Sequence, residues 1–232
     1  MHIVECVDVN KSYRQGQVTV QALKDISLTI ERGEFLAVAG PSGSGKTTLL
    51  NMIGGLDVID SGRICVDGEA FEAMSQSQLA DRRLHKIGFV FQSYNLIPVL
   101  SAVENVEYVM LLQGVSSKER RSKAKSILDE VGLEEKYDRR PAELSGGQQQ
   151  RVAVARAIVS NPAIVLADEP TANLDSKTGQ GLLEMMKTMN REKQITFIFS
   201  THDRMVMEYA RRLLKLRDGC LVDDEVKKSG HS

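Results

Sequence analysis

The segment that most constrains this chain is Gly40-Pro-Ser-Gly-Ser-Gly-Lys46-Thr47, set between an apolar run and a helical one. Phe35–Ala39 before it is apolar at every position, as expected of a parallel strand covered on both faces. Thr48-Leu-Leu-Asn-Met-Ile53 after it reads as a helix. Such a chain must leave a buried strand, curl sharply and enter a helix. Glycines permit the curl, so that several backbone N–H groups converge while the helix start adds its positive end. The arrangement suits an anion, and its neighbours say which kind. Lys46 is placed to reach the β- and γ-phosphates of a nucleotide, and the Thr47 hydroxyl to ligate Mg²⁺. The expected phosphate-binding set is Gly40, Pro41, Ser42, Gly43, Ser44, Gly45, Lys46, Thr47 and Thr48.

The remainder must supply a sheet around that strand. Further strands are expected at Ile3–Val9, Ile26–Ile30, Arg63–Val66, Ile87–Phe91, Ala163–Ala167, Ile195–Phe199 and Leu213–Leu216. Ala163–Ala167 and Ile195–Phe199 are again apolar throughout. The early strands, with turns at Glu31-Arg32-Gly33 and Val66-Asp67-Gly68, look like an antiparallel side sheet, and Asp218-Gly219 marks a final hairpin. Between Ser93 and Ser160 no strand signal appears. Ser101-Ala-Val-Glu104 and Ser116-Ser-Lys-Glu119 both fit a capping box, and Gly132 closes the second of these helices. The fold class is therefore α/β: a nucleotide-binding core with a mixed parallel sheet, an antiparallel β side sheet and an inserted α-helical subdomain. A single domain over 1–232 is expected, with 1–92 and 161–232 as core and 93–160 as the helical part.

Two further segments carry chemistry. Ala163–Ala167 runs into Asp168-Glu169, two carboxylates at a strand end, where the sheet meets the phosphates. Asp168 is expected to hold Mg²⁺ and Glu169 to act as base for a water attacking the γ-phosphate. Leu144-Ser-Gly-Gly-Gln148 precedes a helix over Gln149–Ser160, which Asn161-Pro162 ends; Ser145 and Gln148 can form a capping box. Glycine in a helix interior gives up about 1 kcal/mol relative to alanine, and a purely local role would not require both glycines. They leave bare amides at a positive helix end, a second anion site that makes sense if it grips the nucleotide of another copy.

Taken together, the phosphate loop, Leu144–Gln148 and Ala163–Glu169 strongly resemble the nucleotide-binding subunits of ABC transporters, in order and over essentially Ile3–Val222. The resemblance implies an ATPase that uses ATP and Mg²⁺, closes as a homodimer on ATP and drives integral membrane permease subunits. It implies roles by position. Tyr13 would stack on adenine, or be a plain strand-edge tyrosine. Gln92 would link Mg²⁺ and γ-phosphate to the membrane subunit, or be an exposed turn glutamine. Leu144, Ser145, Gly146, Gly147 and Gln148 would act on the facing copy's nucleotide. Asn173, Leu174 and Asp175 would communicate across the dimer, with Asp175 also able to cap a helix. His202 would contact the γ-phosphate. Finer features, Phe89–Pro98, Leu144–Arg151 and Asp168–Ser176, look like the lipoprotein-releasing (Lol-type) and macrolide-exporter (MacB-type) ATPases, so the expected partner is a Lol-, MacB- or FtsX-like permease.

Composition narrows the alternatives. Net charge is −1, so no basic field draws the chain to nucleic acid or anionic lipid. The start alternates like a strand and lacks a signal peptide's plan, and no apolar run reaches the roughly 18 residues a bilayer span needs. The three cysteines, Cys6, Cys65 and Cys220, have no metal-ligand spacing and read as reduced thiols. The expected location is cytoplasmic, peripheral on the inner face of the inner membrane. A soluble ATPase acting on DNA or ribosomes is disfavoured, because Thr48–Glu143 carries no sustained heptads and the chain holds one cassette. A cell-division regulator that signals without cargo stays open. Lys118–Lys125 reads as a solvated helix face, with Arg121 and Lys125 paired to nearby acids.

Overall fold

The computed structural model describes residues 2–16 and 18–227; residues 1, 17 and 228–232 of the expected domain lie outside the described residues. In chain order the elements are β1 (His2–Gln15), β2 (Val18–Glu31), β3 (Phe35–Ala39), α1 (Lys46–Ile53), β4 (Ser61–Val66), β5 (Glu69–Ala70), α2 (Gln76–Lys86) and β6 (Ile87–Val90). They continue with α3 (Ala102–Leu112), α4 (Ser117–Glu130), α5 (Gly146–Ile158), β7 (Ile164–Asp168), α6 (Ser176–Lys193), β8 (Thr196–Thr201), α7 (Arg204–Tyr209), β9 (Arg212–Arg217) and β10 (Cys220–Val226).

The apolar runs become the centre of a six-stranded mixed sheet of order β10-β9-β3-β8-β7-β6. Strands β9, β3, β8, β7 and β6 are parallel, and β10 pairs antiparallel with β9. All five residues of β3 are buried. Because side chains alternate along a strand, Phe35, Ala37 and Ala39 enter one core while Leu36 and Val38 enter another. The first core joins this sheet face to α3, α4, α5 and α6; the second fills the space between the two sheets around α1. The side sheet has order β2-β1-β4-β5 and is antiparallel, as expected.

Three departures from the sequence reading have physical reasons. Strands β1 and β2 run well beyond Ile3–Val9 and Ile26–Ile30, because the outer hairpin is exposed and register shifts break its period-two pattern. Helix α2 was not anticipated. It is polar nearly throughout and buries only Leu79, yet Ser75 and Gln78 form a capping box before it that spacing alone could have flagged. The box expected at Ser116–Glu119 is only half formed. Ser116 accepts from the Glu119 amide, while the Glu119 carboxylate turns outward to Lys123 at 2.8 Å. On the same helix Arg121 pairs with Asp138 and Glu107, but Lys125 lies over the Tyr137 ring instead of meeting an acid.

None of the three cysteines is bonded to another, and burial pushes the Cys6 thiol up to about 12. No helix among the described residues is long and apolar enough to cross a membrane.

Candidate active site

At the exit of β3 the chain passes through Gly45 with φ near +102°, a left-handed conformation that glycine adopts without penalty. A Cβ there would also meet the Ala22 carbonyl oxygen at 2.4 Å. Gly45 caps α1 without a side chain, whereas α2 through α7 are each capped by a serine or aspartate. The first-turn amides of α1 therefore have neither an intrahelical nor a side-chain acceptor, and they face an anion site.

That site is an open cleft of about 550 Å³. Pro41, Ser42, Gly43, Gly45, Lys46, Thr47 and Thr48 line one wall, and Gln92, Asp168, Glu169 and His202 arrive from three other segments. Parallel pairing of β3, β8 and β7 puts their carboxyl ends, and hence these residues, at one edge of the sheet. Gly40 and Ser44 lie behind the loop, with Ser44 almost fully buried. Val20, Gln21 and Ala22 from β2 also line the cleft, which the sequence did not suggest.

Lys46 folds over the loop, its Nζ donating to the Gly40 and Pro41 carbonyls at 2.8 and 2.9 Å. The Thr47 hydroxyl is 3.1 Å from both oxygens of Asp168. The buried Ser200 hydroxyl, in register with Asp168, has no hydrogen-bond partner among the described residues. A hydroxyl, a carboxylate and the Gln92 amide form an all-oxygen donor set. It suits Mg²⁺, which takes one or two protein ligands alongside phosphate and water rather than a cage of acids. No cluster of three or more His, Cys, Asp or Glu able to hold a metal occurs among the described residues.

Glu169 stands at φ near +46°, left-handed for a side-chain-bearing residue, a conformation costing of order 1–3 kcal/mol and met mainly at working sites. Its amide donates to the Ser200 carbonyl, which holds the turn. One carboxylate oxygen lies 2.7 Å from His202 Nδ1, and the other accepts from the Thr201 hydroxyl at 3.2 Å. Glu169 is largely buried and His202 is exposed.

Tyr13 is not part of the cleft lining. It sits at the rim, its hydroxyl donating to Asp57 at 2.8 Å beside Thr48, with the Lys11 ammonium over its ring. Burial, followed by the Asp57 carboxylate, raises the Tyr13 pKa above its ordinary value.

Leu144–Gln148 likewise stays out of this cleft. Leu144 is buried in the core, and Ser145 and Gln148 make the reciprocal capping box before α5, which starts at Gly146 rather than Gln149. The expectation that both glycines lack a local use is corrected. A Cβ at Gly146 would meet the Tyr94 hydroxyl at 2.8 Å, and one at Gly147 would meet Thr178 Cγ2 at 2.3 Å. The glycines thus have a local use, letting α5 pack closely on side chains of two neighbouring segments. Asp175 caps α6 through the Thr178 amide, Leu174 packs on the core, and Asn173 donates to the Gln92 carbonyl at 2.9 Å.

The sequence profile described as ABC transporter matches residues 23–172, well over half of the chain. The chain belongs to the ABC transporter family. It is an ATPase cassette of that family. It is 44% identical to the macrolide export ATP-binding/permease protein MacB of Mannheimia succiniciproducens, over 98% of this chain and 35% of that protein. The cassette thus spans about a third of that relative's length. It is also 44% identical to the uncharacterized ABC transporter ATP-binding protein MJ0796 of Methanocaldococcus jannaschii, over 96% of this chain and 97% of that one. A dimeric structure of the cassette MJ0796, in a post-hydrolysis state bound to ADP and Pi, superimposes with a TM-score of 0.90 at 42% identity, covering 98% of this chain and 100% of that chain.

Proposed function

We propose that this cassette hydrolyses Mg-ATP in a site completed by a second copy of itself and uses the closing motion to drive a membrane permease. The observation carrying this reading is the meeting, in one cleft, of a lysine, a hydroxyl–carboxylate pair and a glutamate held by a histidine. The glycine-bearing start of α5 lies outside that cleft, where a facing copy could use it.

In this reading residues 1–92 and 161–232 work as the nucleotide-binding core and 93–160 as an inserted helical subdomain of one domain. The α1 amides and Lys46 hold the phosphates, with Tyr13 at the rim for the adenine. Thr47, Asp168 and Gln92 would hold Mg²⁺, whose charge would offset that developing on the β- and γ-oxygens. Ser145 and Gly147 of the partner copy close on the γ-phosphate, and Asn173–Asp175 transmits the contact between copies. Glu169 accepts a proton from water as its oxygen bonds the γ-phosphorus and the bond to the bridging oxygen breaks. His202 orients Glu169 and touches the γ-phosphate as it is transferred to water, with ADP leaving.

The permease is proposed to dock on an apolar groove of about 620 Å³ lined by Leu56, Leu84, Phe89, Phe91 and Leu112. Leu56 and Leu112 are about half exposed there, and Phe91 immediately precedes Gln92. The likeness to MacB supports a partner of macrolide-exporter or lipoprotein-releasing type and a position on the cytoplasmic face of the inner membrane.

The test is Glu169→Gln with Mg-ATP on a sizing column. A positioned base contributes roughly 10²–10⁴-fold to rate, so this variant should bind ATP, fail to hydrolyse it and run as a dimer. A variant that binds ATP yet stays monomeric would refute the composite site.

A further inference from the structure

The stretch that carries Gln92 is held by its own backbone carbonyls. Phe91 O accepts from Gln150 at 3.4 Å, Gln92 O from Asn173 at 2.9 Å, Tyr94 O from Arg156 at 2.9 Å and Asn95 O from Arg156 at 2.5 Å. Gln150 and Arg156 both stand on α5, the helix whose start carries Ser145 and the two glycines. Gln150 is fully buried, and its second amide hydrogen bond reaches Pro170, the residue after Glu169.

Arg156 is the unusual member. Its two nitrogens bind two consecutive carbonyls, a fork geometry that lysine cannot copy. Tyr94 and Asn95 both lie in the left-handed region, at φ near +59° and +48°. For a bulky residue such as tyrosine that conformation persists only where surroundings impose it. Among the described residues Arg156 has no carboxylate partner, and burial lowers its pKa from the ordinary arginine value. A surface ion pair would have served stability with less desolvation; two backbone carbonyls serve geometry.

We propose that Arg156 is a positioning residue for the ATPase reaction, fixing the left-handed turn Tyr94–Asn95 so that Gln92 stands at its place in the cleft. The inference rests on the reading that Gln92 serves the bound nucleotide.

The experiment is a double-mutant cycle on the whole chain, with ATPase rate and thermal melting measured for Gln92→Ala, Arg156→Met and both together. A misplaced group near the reaction can cost up to about a hundredfold. Arg156→Met should therefore lower kcat by about tenfold, with KM for ATP within about twofold, and should have little further effect in the Gln92→Ala background. Arg156→Lys, which keeps the charge but loses the fork, should show the same dependence on Gln92 and serves if the methionine variant does not fold. Equal losses in both backgrounds, or a fall in melting temperature with kcat unchanged, would make Arg156 structural and overturn the inference alone. Full activity in Gln92→Ala would overturn the Gln92 reading and this inference with it.

Discussion

Replacing Gly147 by alanine tests why the start of α5 needs a glycine. The added Cβ would sit 2.3 Å from Thr178 Cγ2, whereas two carbons in comfortable contact lie about 3.5–4.0 Å apart. More than 1 Å must therefore be recovered, either by turning the Thr178 side chain out of its bond to Asp175 or by parting the first turns of α5 and α6, both anchored by their caps, Ser145 and Asp175. Overpacking of this size costs about 1–3 kcal/mol. The change also removes a flexible glycine, which returns about 0.5–1 kcal/mol. Taking the middle of each range, the net expectation is a loss of about 1 kcal/mol, or about 2–4 °C in Tm for a chain of this size. Thr178→Ser deletes the clashing methyl and keeps the hydroxyl that donates to Asp175. Urea unfolding of both single variants and the double should show the double within about 0.5 kcal/mol of Thr178→Ser alone, the scatter of independent sites. Stability unchanged in Gly147→Ala, or a loss that Thr178→Ser does not relieve, would refute the packing argument. The rescued double variant also separates the two uses of the glycine. Restored stability with ATP-driven dimerisation still absent assigns the glycine a second duty toward the partner copy.

Four other outcomes are expected. Tyr13→Ala should raise KM for ATP by about tenfold with kcat little changed, since stacking on a base is worth about 1–3 kcal/mol; an equal effect on GTP and on inorganic triphosphate would count against a base contact. Burial opposes ionisation of Asp67, but hydrogen bonds from Lys86 and Arg32 outweigh it and hold the carboxyl below its usual range. Its contribution is therefore present above about pH 4, the ordinary carboxylate value, and is lost as pH falls through the lower folded value. Asp67→Asn should cost roughly 1 kcal/mol at pH 7 and progressively less in acid, read from urea midpoints across pH. Chelation of Mg²⁺ should abolish hydrolysis, and Asp168→Asn should raise the Mg²⁺ requirement in a titration of ATPase rate while leaving the fold intact by circular dichroism.

The phosphate loop was legible because its chemistry is contiguous: strand, glycines, lysine and hydroxyl follow one another, and β3 sits at the centre of the sheet. Asp168 and Glu169 were legible because parallel strands end at one edge, whereas His202 was named through the resemblance to ABC cassettes and then found at that same edge. The roles of Gln150 and Arg156 were not. Their partners are backbone carbonyls of distant segments, and a carbonyl carries no residue type to read. The local need for Gly146 and Gly147 was hidden for a related reason, since the constraint comes from Tyr94 and Thr178, which only the packing of α5 against two other segments brings near. At Ser116 the spacing was right, but Lys123 one turn on competed for Glu119 and took it.

The first core has one further consequence. Phe35, Val165 and Phe197 of the sheet lie in the same apolar cluster as Val106 of α3, Leu128 of α4 and Val154 of α5. Of the three helices α5 joins the sheet, along β6, while α3 and α4 pack on α5 and on each other. Excising α5 would uncover β6 and take away the helix on which α3 and α4 rest, and grafting α3 and α4 without it would leave their inner faces bare. Because α3, α4 and α5 all pack on one another and α5 alone of them lies along β6, the packing favours a pivot of the block about α5 over a peeling of single helices.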